Sequence, residues 1–310
     1  MPFIFERMIT FFAALAFATN AAAITPAASS DSLAAQIRAR IAELPGAEVG
    51  LAYHKLGTGD SLYLDADKSF HAASTMKVPI MIQLFRRVDA GGLSLDYPLL
   101  LVNQFGSIVD GSPYSLEEDV DSDSSLYKLV GTRVPVRDLI THMITRSSNL
   151  ATNALVALAN AAAAESTMRS LGAMKIRVLR GVEDQKAFDA GLNNTTTARD
   201  LSIILSAIQE NTAASPKSCE TMRNVLLEQE FNTGIPAELP PGTRVAHKTG
   251  WITGITHDAA IVYPEHGPVY VLVVLTRGIQ DEPTAQKLIA DLSRIVYAHA
   301  MEAPRISIRS

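Results

Sequence analysis

The segments with β-strand patterns lie near the two ends of this chain, and most segments with helical patterns lie between them. Strands are predicted over residues 47–54, 61–65, 244–248, 256–263 and 269–276. Helices predicted over 33–44 and 283–301 flank this set. Because every strand needs a partner, the simplest packing is one antiparallel sheet of about five strands built from both ends, with the terminal helices against it and an all-helical domain inserted. We therefore predict an α+β fold, an α/β sandwich.

The same pattern predicts the domain boundaries. Residues 24–70 and 198–304 would form a discontinuous α/β sheet domain, and residues 71–197 the helical domain. Residues 1–23 predict a secretory signal peptide, because an apolar run precedes the small residues Ala21-Ala22-Ala23. A membrane anchor is the alternative, but the run is shorter than the roughly 20 residues of a span. We expect a secreted or periplasmic protein with no stable membrane span after processing.

Charge and cysteine content exclude several function classes. The net charge is -5 and no basic block occurs, which argues against a nucleic-acid partner. Cys219 is the single cysteine, so neither an intrachain disulfide nor a thiolate metal cluster can form. The 7 histidines are scattered, and no His-Glu-x-x-His motif occurs among them. We expect no metal and no cofactor.

Three short motifs point to chemistry, in the order Ser74-Thr75-Met76-Lys77, Ser147-Ser148-Asn149 and Lys248-Thr249-Gly250. A serine hydroxyl is a poor nucleophile until a base takes its proton and hydrogen-bond donors hold the resulting oxyanion. Each motif can supply one part of that machinery. Ser-x-x-Lys alone is weak evidence, since about one copy is expected by chance in a chain of this length. The order, spacing and surroundings of the three motifs distinguish a catalytic set from chance matches.

The surroundings of the first and third motifs suit this chemistry. Residues 70–87 predict a buried helix with Ser74 in its first turn, where the helix N-terminus favours developing negative charge. Lys77 lies three residues on, on the same face. A desolvated lysine there has a lowered pKa and can act as a base. Residues 244–248 predict a strand that ends at Thr249-Gly250.

A second Ser-x-x-Lys motif, Ser125-Leu126-Tyr127-Lys128, follows the acidic stretch 117–125. We interpret this motif as a surface loop or helix start. Residues 119–123 have the spacing with which a calcium loop begins, but Ser124 and Val130 replace its required glycine and final glutamate. The acidic stretch is therefore predicted to be a solvated loop.

The motifs, their order and the segments around them resemble the penicillin-recognising serine hydrolases, most closely the class A β-lactamases. The resemblance runs from about residue 33 to residue 299. It includes Phe70, the segment 135–149, Leu171-Gly172, the threonines 195–197, and the approach from Pro241-Gly242 to the third motif. It implies a β-lactamase/transpeptidase-like fold.

The resemblance also implies roles for individual residues. It makes Ser74 the acylated nucleophile, Lys77 the acylation base, and Ser147 the relay of a proton to the leaving nitrogen. In the third motif, which includes Gly250, Lys248 keeps the cleft positive for a substrate carboxylate. The remaining implied substrate contacts come from the polar groups of Asn149 and Thr249 and from the backbone N–H groups of Ser74 and Trp251, which would form the oxyanion hole.

The sequence departs from the class A pattern at several positions. Ser148 stands where an aspartate is usual, and Trp251 and Ile252 stand where small residues are usual. The segment 103–130 is longer than its family counterpart. Asn194 occupies the position where an aspartate normally pairs with the arginine of the loop that begins at Arg180.

The loop 180–194 should hold the carboxylate that activates water for deacylation. It contains Glu183, Asp184 and Asp189, but not the usual Glu-x-x-Leu-Asn sequence. We choose Glu183, because it lies three residues after Arg180; the alternative is a solvated loop carboxylate. His257, nine residues after Lys248, is a further candidate for binding the substrate carboxylate, and the alternative is a hydrogen-bonded histidine of the sheet.

The leading functional prediction is a monomeric serine β-lactamase that opens β-lactams through an acyl-enzyme. The first alternative is a peptidase or penicillin-binding protein acting on the D-Ala-D-Ala stems of peptidoglycan, which the same three motifs serve. The second is an inactive binding domain of the same fold. Its partner would then be the same β-lactam or stem peptide. Fold alone does not choose among the three.

Overall fold

The computed structural model describes residues 27–302. Its strands are β1 (Glu48–Lys55), β2 (Ser61–Leu64), β3 (Phe70–His71), β4 (Pro98–Leu100), β5 (Phe105–Gly106), β6 (Pro113–Tyr114), β7 (Arg133–Pro135), β8 (Thr195–Thr196), β9 (Arg244–Ile252), β10 (Ile255–Tyr263) and β11 (Tyr270–Arg277). Its helices are α1 (Ala27–Ala42), α2 (Lys77–Asp89), α3 (Val136–Thr145), α4 (Asn149–Ala159), α5 (Ala161–Ser170), α6 (Gln185–Asp189), α7 (Ala198–Gln209), α8 (Pro216–Leu227) and α9 (Glu282–Ala300).

The predicted sheet is confirmed. Its five strands are antiparallel in the order β2-β1-β11-β10-β9, so strands from the two ends of the chain meet at the β1–β11 pair. Alternate residues of β11 face opposite sides. Val271 and Val273 belong to the apolar core shared with α2 and α7, whereas Leu272 and Val274 pack with α1 and α9. Because both faces are covered, β11 is apolar along its length.

Helix α2 is the centre of the helical region. Every residue from Lys77 to Phe85 is buried, as predicted for a helix that has apolar residues on all of its faces. It packs against α3, α4, α5 and α8. A buried helix holds its N-terminal residues rigidly, and Lys77 is the first of them.

The predicted helix over 70–87 begins later than expected. Phe70–His71 instead form β3, which pairs with β8, and a 3₁₀ turn covers Ala73–Met76 before α2 starts at Lys77. The cause is a strand pairing with residues more than a hundred positions away, at Thr195–Thr196. Apolar periodicity within the segment could not reveal it.

Other boundaries also differ from the predictions. The sequence predicts one helix over 150–164, but Asn160, with φ of 64°, interrupts it and accepts a hydrogen bond from Ala163 N at the start of α5. Residues 176–179 predict a short strand, which is reduced to one bridge between Arg177 and Thr195. The polar residues 27–31 predict a linker, but they belong to α1. The strand predicted to end at 248 continues to Ile252 as β9.

Within the described residues, no helix has the length and apolar character needed to cross a bilayer. The predicted signal peptide, residues 1–23, lies outside the described part of the chain.

Candidate active site

Ser74 lies in the 3₁₀ turn, where β9 of the sheet passes close to the N-terminal end of α2. The other turn residues, Ala73, Thr75 and Met76, are buried, while Ser74 is half-buried. Gly250 permits the close approach of β9. A Cβ added at Gly250 would lie 2.8 Å from Ser74 N and 3.0 Å from Thr75 N. The glycine of the third motif therefore brings a strand backbone against the backbone amides of the nucleophile turn.

Lys77 is fully buried, and its amine joins the first two motifs. Nζ donates to Ser147 O at 2.6 Å, to Ser147 Oγ at 3.0 Å and to Asn149 Oδ1 at 3.0 Å. Burial lowers the pKa of Lys77 to about 7, although the negative charges of Asp121 and Glu183 oppose that shift. The lowered pKa favours loss of a proton from this amine, and the neutral amine can then act as a base.

Ser147 occupies the bend between α3 and α4 in a strained conformation. Its φ is 58°, in the left-handed region that a serine rarely adopts. Its carbonyl oxygen accepts hydrogen bonds from Lys77 Nζ and from Ser122 Oγ (3.2 Å). These contacts hold the buried Ser147 hydroxyl beside the Lys77 amine. Ser148 caps α4 by accepting a hydrogen bond from Ala151 N at 3.2 Å.

Lys248 and Thr249 present polar groups that the protein satisfies poorly. The one hydrogen bond of Lys248 Nζ among the described residues goes to Thr249 O, at 2.9 Å. Burial holds the pKa of Lys248 well below its ordinary value, and the charge of Lys77 adds to the effect. The Thr249 hydroxyl is buried without a hydrogen-bond partner in this part of the chain. An anionic group bound here would satisfy both side chains.

Lys77, Ser147 and Asn149 form a hydrogen-bonded group, the Lys77 cluster. Glu183 is the carboxylate of the 180–194 loop that contacts this cluster. Its Oε1 accepts from Asn149 Nδ2 at 2.6 Å, so Asn149 bridges Lys77 and Glu183. Although Glu183 is exposed as a residue, desolvation of its carboxyl raises its pKa, and the Asn149 hydrogen bond partly offsets the rise. The Glu183 backbone has φ of 59°, again in the left-handed region. Strain of this kind is common at functional positions.

The other two carboxylates of this loop are engaged elsewhere. Asp184 accepts from Ser107 Oγ at 2.8 Å, from Ile108 N at 2.9 Å and from Ala187 N at 3.1 Å. Asp189 accepts from Gln185 within α6. Asp184 therefore fixes the loop against the segment 105–114, Asp189 stabilises α6, and neither hydrogen-bonds to Lys77, Ser147 or Asn149.

Asn194 closes the loop through neutral hydrogen bonds. Its Oδ1 accepts from Leu179 N at 2.7 Å and from Arg180 N at 3.2 Å, and its Nδ2 donates to Arg180 O at 2.9 Å. The Arg180 guanidinium donates to Leu192 O and Asn193 Oδ1. An amide thus replaces the usual ion pair, because it can both accept and donate to the loop backbone.

The structure does not support His257 as a substrate-binding residue. Its side chain is buried in the sheet, where Nε2 donates to His71 O at 2.9 Å and Nδ1 accepts from Thr276 N at 3.1 Å. Burial lowers the pKa of His257 to about 4. With both ring nitrogens used internally, His257 is the hydrogen-bonded sheet histidine of the alternative interpretation.

Trp251, which directly follows the third motif, forms an aromatic pair with Phe231. Trp251 belongs to β9, opposite Thr256, and its ring packs edge-to-face against Phe231 with 5.0 Å between centroids. Phe231 was not identified from the sequence, because its segment carries no motif.

Asp121 was also missed, since the stretch 117–125 was predicted to be solvated. Asp121 is buried, and both carboxylate oxygens accept from Asn149 N at 3.0 Å. The second Ser-x-x-Lys motif, at Ser125, forms part of a 3₁₀ helix over Ser124–Leu129 in the same region. A carboxylate in a polar loop has no local sequence signal that distinguishes it from a solvated one.

Comparison with known proteins gives one consistent result. A model of the β-lactamase enzyme family matches residues 32–300. A β-lactamase from Rhodobacter capsulatus is 28% identical over 297 residues, which cover 93% of this chain and 94% of that protein.

Solved structures agree. A β-lactamase from Sphaerobacter thermophilus is 27% identical with a TM-score of 0.74, covering 88% of this chain and 99% of that one. A PBP-A mutant, solved as its acyl-enzyme complex with penicillin G, is 28% identical with a TM-score of 0.74, covering 86% and 96%.

Proposed function

This chain belongs to the β-lactamase enzyme family, as its motifs implied, and we propose that it is a serine hydrolase that opens β-lactam amides through an acyl-enzyme on Ser74. The observation that carries the proposal is the continuous contact from Lys77 through Asn149 to Glu183, with Ser147 hydrogen-bonded to the same lysine. This contact supports the assignment of one candidate base to each half of the reaction.

In acylation, the neutral Lys77 amine takes the Ser74 hydroxyl proton while the oxygen attacks the lactam carbonyl carbon. The resulting oxyanion accepts hydrogen bonds from the backbone N–H groups of Ser74 and Trp251; a donor of this kind typically contributes about 3 kcal/mol. When the C–N bond breaks, Ser147 donates its proton to the nitrogen and recovers one from the Lys77 ammonium. The 3.0 Å contact between Ser147 Oγ and Lys77 Nζ supports this relay.

Substrate binding in this proposal uses the second and third motifs. Lys248 and the Thr249 hydroxyl bind the substrate carboxylate, which supplies the acceptor that these buried groups lack. Asn149 orients an amide group of the substrate, and Gly250 allows the substrate to lie along β9 next to the nucleophile turn.

In deacylation, Glu183 takes a proton from a water molecule, whose oxygen attacks the ester carbonyl. The ester bond to Ser74 then breaks, and the proton taken up by Glu183 returns to the Ser74 oxygen. The raised pKa of Glu183 favours this role, because it makes the carboxylate a stronger base. We also propose that the protein acts outside the cytoplasm, where its substrates occur; the mass of the mature N-terminus tests export.

The alternative is a penicillin-binding enzyme that acts on stem peptides and stays acylated by penicillin. The similarity to PBP-A, whose mutant was solved as a penicillin G acyl-enzyme, favours keeping it. So does the absence of the usual sequence around Glu183. An inactive binding domain is disfavoured, because burying two lysines without a catalytic use is costly.

One experiment separates these readings. Purified protein is mixed with a chromogenic cephalosporin to follow turnover, and with penicillin to follow the intact mass. Turnover with a transient adduct supports the β-lactamase, and a lasting adduct without turnover supports the penicillin-binding enzyme. Neither signal would leave only the binding domain.

A further inference from the structure

Asp121 binds the start of helix α4 from outside that helix. Oδ1 and Oδ2 accept from Asn149 N, both at 3.0 Å, and Oδ2 also accepts from Leu150 N at 2.9 Å. The carboxylate is itself held by Tyr127 OH at 3.1 Å and by Asp123 N at 3.1 Å. It is buried, with 8% of its surface exposed. A buried carboxylate with this many donors has one fixed position.

The contact completes a helix end that the motif itself leaves open. The first N–H groups of a helix have no partner within it, and they attract negative charge. Ser148 satisfies Ala151 N, and Asp121 satisfies Asn149 N and Leu150 N. The motif position where an aspartate is usual is Ser148 in this chain. A loop that is far from it in sequence supplies the carboxylate instead.

The same loop holds both sides of the reactive bend. Ser122, next to Asp121, donates through Oγ to Arg146 O at 2.8 Å and to Ser147 O at 3.2 Å. These contacts support the left-handed φ of Ser147. Asn149 uses its side chain for Lys77 and Glu183, and its backbone N–H donates to Asp121. The next aspartate, Asp123, serves a different purpose and binds His142 at 2.6 Å.

The charge of Asp121 also acts on the lysine. The charged groups that face Lys77 are Asp121 from the loop before α3, Glu183 from the 180–194 loop and Lys248 from β9. Among the groups that favour protonated Lys77, Asp121 has the larger influence and Glu183 the smaller. Removing the Asp121 charge would therefore favour the neutral amine.

We propose that Asp121 is a positioning residue for acylation: it fixes the backbone of Asn149 beside Lys77 and supplies the negative charge that the second motif lacks. The proposal rests on the proposed function for its catalytic consequence. Its structural half, the fixing of the α4 start, can be measured without any activity.

The test compares Asp121→Asn with Asp123→Asn, a matched change two residues away that does not touch α4. Acylation by penicillin is followed by rapid mixing and intact mass across a pH series. In Asp121→Asn we expect the acidic limb of the rate to move down by about one pH unit. We also expect the maximal rate to fall about 10- to 100-fold, because the reacting groups lose their alignment.

Asp123→Asn should keep the wild-type limb. Adding Ser148→Asp to Asp121→Asn should move the limb back toward wild type, since it returns a carboxylate to the same helix start. A uniform loss of rate with an unmoved limb, or an equal shift in Asp123→Asn, overturns the proposal.

Amide hydrogen exchange provides the activity-independent test. In Asp121→Asn, the amides of Asn149 and Leu150 should exchange at least about 10-fold faster than in wild type, relative to the Ala151 amide that Ser148 caps. Unchanged protection overturns the positioning role. If wild type is never acylated by penicillin, the proposed function fails, and this exchange result still decides the role of Asp121.

Discussion

Replacing Gly250 by alanine tests whether β9 must lie against the nucleophile turn. The added Cβ would meet Ser74 N at 2.8 Å and Thr75 N at 3.0 Å, and both are backbone atoms that cannot rotate away. Ordinary contacts of a Cβ begin near 3.4 Å. The strand and the turn must therefore separate by roughly half an ångström.

The size of the effect follows from that displacement. Misplacing reacting groups by about 1 Å costs about 100-fold in rate, so we expect Gly250→Ala to slow acylation about 10- to 100-fold. This corresponds to about 1.4–2.7 kcal/mol of barrier. Crowding at the same contact should lower the free energy of unfolding by about 1–3 kcal/mol.

The assay measures the second-order rate of acylation by penicillin together with the Tm. Gly92→Ala is the matched control. Gly92 lies in the turn after α2, and its added Cβ would be an ordinary 3.7 Å from Arg87 O. It should acylate like wild type. Acylation of Gly250→Ala at the wild-type rate would refute the placement of β9 that the oxyanion hole requires.

Three further predictions concern the titratable side chains of Lys77, Lys248 and His257. Acylation should rise with pH through about 7, because only neutral Lys77 can take the Ser74 proton and its pKa is lowered to about 7; a flat profile between about pH 6 and 8 would contradict this. Lys248→Met should lower kcat/KM for anionic penicillins about 100-fold while changing Tm little, and an unchanged kcat/KM removes Lys248 from the carboxylate site. His257→Gln should lower Tm but leave the pH profile of acylation unmoved, since the pKa of His257 lies near 4; a moved acidic limb would return it to the site.

The sheet and helix α7 could be predicted from the sequence because their signals are local. The sequence over residues 198–209, preceded by Thr197 as a cap, predicts a helix, and α7 has these bounds. The strands at the two ends imposed a single antiparallel sheet, which the structure confirms. In contrast, the length of β9 depends on its pairing with β10, and residues 249–252 carry no strand pattern that distinguishes them from a turn.

The contacts of the site that the sequence did not reveal join segments that are distant in the chain. Asp121 meets Asn149 N across 28 positions, and Asn149 meets Glu183 across 34. A loop carboxylate gains its role from the amide that it meets, and nothing in its own segment specifies that amide. His257 illustrates the reverse case: its spacing from Lys248 suggested the cleft, but burial in a two-sided sheet directs its nitrogens to backbone groups.

In the proposed mechanism, Glu183 is the residue that allows the acylated enzyme to hydrolyse its adduct. The most direct measurement is the intact mass of wild type, Glu183→Gln and Ser74→Ala over time after mixing with penicillin. Asp184→Asn is the matched control. The Asp184 carboxylate is next to Glu183 in sequence, but it binds Ser107 and does not contact the Lys77 cluster.

We predict a short-lived adduct in wild type and in Asp184→Asn, and no adduct in Ser74→Ala. In Glu183→Gln, the adduct should form and persist, with turnover lowered about 100- to 10,000-fold, the typical contribution of a general base. Rapid loss of the adduct from Glu183→Gln would contradict the account.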